Sequence, residues 1–169
     1  MDAPALLRLA FADLHTEVRR DVDGLTDEEL FWQPAEGQNH VAFLLWHLIR
    51  DEDTVICQSV LAGEELWSRA GWSTRFGMDE RDQGTGFDSS TLGNFRYSLP
   101  LLFEYADAVW AQTDRALVSM PADRLEEELA WSDEWRLANL LTTGCLAHGW
   151  VHLGEIRQVR GLRGWKFRE

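Results

Sequence analysis

A chain of 169 residues and 19.4 kDa, 45% of it hydrophobic, is long enough for one well-filled core and too short for two comfortable domains, so residues 1–169 are read as a single domain. Sixteen basic against 29 acidic residues leave a formal charge of −13, which repels a phosphate backbone and excludes nucleic acid as a partner. The uninterrupted apolar runs are short, such as Val41 to Trp46, and the N-terminus lacks a basic-then-apolar leader, so neither a membrane span nor a signal peptide is expected and the protein is read as cytoplasmic.

The first predicted element runs from about Ala3 to Val22, where Leu6, Leu7, Ala10, Leu14 and Val18 recur at spacings of three and four, with Asp2 and Pro4 at its start. A short helical turn follows in "LTDEELFWQP", where Thr26 and Glu29 form a capping box and Pro34 stops the chain. The second long helix is expected from an Asn39 cap through "HVAFLLWHLIRDEDTVICQSVLAG" to Gly63, and its start is apolar nearly all round. Residues 64–97 show glycines and little period, and read as a long irregular loop of the kind that often carries function. Ser98 and Pro100 open a third helix that ends before Pro121. The stretch "ADRLEEELAWSDEWR" leaves a helical turn and a short extended piece both open. A fourth helix spans about Leu137 to Arg160, with an apolar stripe at Leu137, Leu140, Leu141, Gly144 and Cys145. Four such helices hide their apolar faces only against one another, which predicts an all-α four-helix bundle.

Inside the last helix, "AHGWVHLGEI" places His148 and His152 four residues apart. At 100° per residue, positions 148, 152 and 155 fall within roughly 60° of one another, so His148, His152 and Glu155 extend the stripe of Leu141 and Cys145 and point inward. The pair alone leaves packing, metal ligation and proton transfer open. His47, in the body of the second helix, supplies a third imidazole, and a pair from one helix facing a third from another suits one divalent ion with a free side for water or substrate.

"NHVAFLLWHLIRDED" together with "LAHGWVHLGEIRQVRGLRG" resembles the DinB-like superfamily of four-helix proteins, the DinB/YfiT type. The likeness extends over most of the chain, through the "LTDEELFWQP" turn and the order of helices. It implies one metal ion held by His47, His148 and His152, the last followed by Gly154, Glu155 and Ile156. Similar proteins include bacillithiol S-transferases and mycothiol-dependent maleylpyruvate isomerases, which implies a metal-dependent transferase acting on a low-molecular-weight thiol and an electrophile, and often a homodimer. A hydrolase, or a non-catalytic metal-binding or stress-response protein, are the alternatives. Three imidazole nitrogens suit zinc, nickel or ferrous iron.

Around this trio, Asp51 is read as an acceptor for an imidazole N–H or as part of a solvated "DED" run, and Glu155 as a base, an orienting group or an ion-pair partner of an arginine. Cys145 is read as a small buried thiol filling space, and no structural disulfide is expected. His15 and His40 are expected to be ordinary surface or capping residues. Trp72, with Trp67 and Phe76, is a candidate apolar wall of a substrate pocket over the metal.

Overall fold

The computed structural model describes residues 1–86, 92 and 95–165, so part of the segment read as a long loop lies outside the described residues. Four long helical rods form the body. The first is α1 (Ala3–Val22), with Asp2 accepting from the Ala5 N–H and Pro4 in the first turn. Its buried face is Leu7, Phe11, Leu14, Val18 and Val22, while Leu6 is exposed. After it, α2 (Asp27–Leu30) starts on the expected capping box between Thr26 and Glu29. Then come α3 (Val41–Thr54), which continues as a π-helical turn over Val55–Val60, and α6 (Leu99–Ser119), capped by Ser98. The last rod is made of α7 (Leu137–Asn139), a π-helical stretch over Leu140–Ala147 and α8 (His148–Leu162). In the bundle α1 lies against α6 and α8, and α3 lies against the same two helices from the other side.

The cap of α3 is His40 rather than Asn39. Its Nδ1 accepts from the Phe43 N–H at 3.1 Å, and its Nε2–H donates to the Leu92 carbonyl at 3.2 Å, so the ring is a buried cap and not a surface residue. Burial pushes this imidazole below the ordinary histidine range. Asn is the commoner cap, but a neutral imidazole satisfies the same orphan N–H and bonds a second segment as well.

Every residue from Val41 to Arg50 is buried, because the chain after α3 covers the face that the bundle leaves open. That chain is less irregular than its sequence suggests. It holds α4 (Leu66–Arg69) and α5 (Trp72–Phe76), helices of four and five residues, too short to show a period. Trp67, Trp72 and Phe76 enter the aromatic core around Trp46 and Tyr105. The ambiguous segment before the last rod contains both candidates, a 3₁₀ turn (Ala122–Glu126) and an antiparallel hairpin of β1 (Glu128–Leu129) with β2 (Ser132–Arg136).

The buried stripe of the last rod runs Leu137, Leu141, Cys145, Gly149, Leu153, Ile156 and Val159. His148, His152 and Glu155 therefore flank the stripe and do not continue it. The π turns explain the shift: each wide turn inserts an extra residue and moves everything after it out of the phase that a uniform 100° step predicts. Gly149 marks the closest approach to α1, since a Cβ there would lie 2.6 Å from Leu14 Cδ2.

A polar knot is buried between α3, α4 and α6. Arg50, with no exposed side-chain surface, donates to Glu65 at 2.7 Å, to the Tyr105 hydroxyl at 3.3 Å and to the Asp82 carbonyl at 3.0 Å, and lies 4.8 Å from the Trp67 ring centre. Asp53 accepts from the Leu66 and Trp67 N–H groups, the Tyr105 hydroxyl and the Cys57 thiol, besides a longer contact with Arg50. The "DED" run is thus not a solvated face, because Glu52 and Asp53 are buried. Glu52 instead accepts from His15, whose ring stacks on Trp110, and from Thr113. His15 is accordingly a half-buried partner of α3 and not a surface residue. Removing Asp53 would leave two buried backbone N–H groups and the Tyr105 hydroxyl without their acceptor, so Asp53→Ala is expected to lower unfolding free energy by about 3–5 kcal/mol in urea titrations followed by circular dichroism.

Candidate metal centre

His47 lies on α3, whereas His148 and His152 lie on successive turns of α8, the helix that faces it. The structure brings the three rings together. Their centroids are 5.3 Å apart for His47 and His148, 4.8 Å for His47 and His152, and 4.4 Å for His148 and His152, and one nitrogen from each lies within 4.8 Å of the others.

Each ring is held from behind through Nδ1. His47 donates to the backbone carbonyl of Gln83 at 2.5 Å, His148 to Asp51 Oδ2 at 3.1 Å, and His152 to Glu155 Oε2 at 2.7 Å. A carbonyl and two carboxylates only accept, so all three Nδ1 atoms carry hydrogen and all three Nε2 lone pairs are left for the shared point. Nε2 of His148 and Nε2 of His152 are 2.7 Å apart. Two lone pairs at that distance repel unless a proton or a cation lies between them. The donor set therefore fits a divalent cation, and three imidazole nitrogens fit zinc, nickel or ferrous iron.

The three environments differ. His47 is 8% exposed, and burial holds its imidazole below the ordinary range against the raising effect of the Gln83 carbonyl. The His148 side chain is 33% exposed, and its hydrogen bond to Asp51 lifts the imidazole above that range. The protein therefore encloses one side of the group and leaves the other, towards His148 and Glu155, in contact with solvent.

Other candidates lie elsewhere. Trp72 is buried against Tyr105, with the Arg75 guanidinium 4.3 Å from its ring centre, and these contacts commit it to the aromatic core. Among the described residues, the segment after α5 reaches the histidines through Gln83 and Gly84. Cys145 is buried, and burial raises its thiol well above the ordinary range, so it stays protonated. Cys57 is likewise free, its thiol pushed up to about 12 by burial and by Asp53. Sequence reasoning missed the Gln83 carbonyl, since a backbone acceptor leaves no residue signature.

Residues 10–156 match the family described as the DinB superfamily. The chain belongs to the DinB superfamily. A crystal structure of a conserved protein from Enterococcus faecalis shares the fold at a TM-score of 0.82 and 20% identity, over 96% of this chain and 97% of that one. No curated protein matches the chain. Among the described residues, no helix is long and apolar enough to cross a membrane.

Of the three acceptors, Asp51 and Glu155 are open to mutation. Asp51→Asn is expected to reduce divalent-metal affinity by about 10–100-fold, read by competition against a chelating indicator, because the His148 ring loses its anionic partner.

Proposed function

We propose that this DinB-superfamily protein binds one divalent ion, zinc or nickel before iron, through His47, His148 and His152 and transfers a low-molecular-weight thiol to an electrophilic small molecule. The observation that supports this reading is the convergence of three Nε2 lone pairs whose Nδ1 atoms are all occupied behind them. When bound, such an ion supplies positive charge that lowers the pKa of a thiol brought to it.

The chain's own residues supply orientation and proton transfer. His47 is the enclosed member, while His148 and Glu155 border the accessible side, so both small molecules approach along α8. Glu155 uses Oε2 to hold His152 and is half exposed. It acts as the base: the S–H bond breaks with its proton going to the Glu155 carboxylate, the sulfur electron pair forms the new S–C bond, and the proton returns to the atom of the electrophile that gained electrons. Asp51 takes no part in that transfer, since its carboxylate orients His148 from the far side of the ring.

Elemental analysis of the untagged protein beside His152→Ala tests the metal assignment: about one equivalent in the wild type and loss in the variant is expected. A thiol-plus-electrophile screen on the metal form then tests turnover. Glu155→Gln keeps a neutral acceptor for His152 but loses the charge, so, like Asp51→Asn, it is expected to bind the metal more weakly, and with metal at saturating concentration to lower kcat by about 100-fold or more. Metal bound without conjugation of any thiol would favour a non-catalytic metal-binding role.

A further inference from the structure

The three-histidine arrangement requires that His47 present Nε2, yet nothing on α3 itself dictates which of its ring nitrogens carries hydrogen. We infer that the backbone of residues 82–84 is a positioning strap that fixes His47 in the Nδ1–H tautomer, and that Gly84 is the residue that lets the strap lie against the ring.

Two successive carbonyls of this segment are gripped by two side chains of the same helix. The Asp82 carbonyl accepts from Arg50 Nε at 3.0 Å, and the Gln83 carbonyl accepts from His47 Nδ1 at 2.5 Å. Residues 47 and 50 lie one turn apart on α3, and so present neighbouring donors to neighbouring acceptors. The strap is tied down on both flanks. Before it, the Asp79 carbonyl accepts from Trp67 Nε1 at 3.1 Å, and Asp79 and Asp82 close a turn by bonding each other's backbone N–H. Along it, the Gln83 side chain donates to Thr54 Oγ1 at 3.3 Å. A carbonyl has no hydrogen to give, so the bond at His47 selects one tautomer outright.

Gly84 follows the bonded carbonyl directly, with φ +90°. A Cβ there would lie 2.6 Å from His47 Nδ1, 3.0 Å from His47 Cγ and 3.2 Å from the Trp46 ring. Both rings are packed from other sides: His47 stacks on Phe43, and Trp46 is wholly buried against Trp67 and Phe95. A methyl group at position 84 must therefore lift the strap and take the Gln83 carbonyl away from Nδ1. The freed imidazole can then turn or adopt the Nε2–H tautomer, which has no lone pair at the shared point. Gly86 provides a matched contrast, because it also has positive φ, +69°, but no atom of the described residues lies within 4 Å of its would-be Cβ.

The test uses the full chain. Two-bond 1H–15N correlation of the metal-free protein reports which nitrogen of His47 is protonated, and zinc titrated against a chelating fluorophore reports affinity. Wild type is expected to show Nδ1–H at His47. Gly84→Ala is expected to populate Nε2–H and to bind zinc about 10–100-fold more weakly than Gly86→Ala, which carries the same kind of backbone strain without the contact. An Nε2–H tautomer in the wild type overturns the inference, as does a Gly84→Ala variant that keeps Nδ1–H and binds zinc as Gly86→Ala does. If Gly84→Ala does not fold, the wild-type tautomer alone decides. Only the zinc measurement rests on reading the three histidines as a metal site: a wild type that shows Nδ1–H but binds no zinc sinks that reading and leaves the strap standing.

Discussion

A single guanidinium, buried in the middle of α3, governs how this bundle is finished. Arg50 has no exposed surface, and a charge so placed is tolerated only if nearly every donor finds an acceptor. Its acceptors come from α4's approach (Glu65), from α6 (Tyr105) and from the segment beyond α5 (the Asp82 carbonyl). Satisfying one arginine thus ties α6 and two stretches of the intervening chain, at Glu65 and at Asp82, to α3. The next residue after Asp82 is the one that bonds His47, so the knot that closes the core also sets the geometry of the histidine group.

The acidic run on the same helix follows a related logic. Residues one and two apart on a helix point in different directions, and α3 is enclosed on several sides. Asp51 meets His148 on α8, Glu52 meets His15 on α1 and Thr113 on α6, and Asp53 meets Tyr105 and the start of α4. Three adjacent carboxylates serve three interfaces. A chain with a formal charge of −13 keeps much of its acid at the surface for solvation, but these three are structural.

The histidine group inherits an asymmetry from its two helices. On the α3 side, a buried ring and a backbone carbonyl give a dry, fixed donor, whereas on the α8 side two carboxylates and partial exposure give a wetter, anionic border. Since a low dielectric strengthens interactions with fixed dipoles and solvent weakens those with mobile charges, the first side suits holding and the second suits exchange.

The sequence by itself determined the long elements and the donor residues. The periodicity of α1, α3, α6 and the last rod, the Asp2, Thr26 and Ser98 caps, and the identity of His47, His148 and His152 are local properties: they depend on side-chain type and on spacings of three and four. Tertiary structure alone decided what surrounds those donors. The π turns that displace His148 and His152 from the buried stripe depart from the uniform step on which a reading by spacing relies, the short helices around Trp67 and Trp72 have too few turns to show a period, and Asp53 reads as a surface acid until the N-terminus of α4 and Tyr105 arrive. The Gln83 carbonyl is common to every residue type, so its bond to His47 exists only because distant stretches of chain meet, and no reading of side chains along a line could have located it.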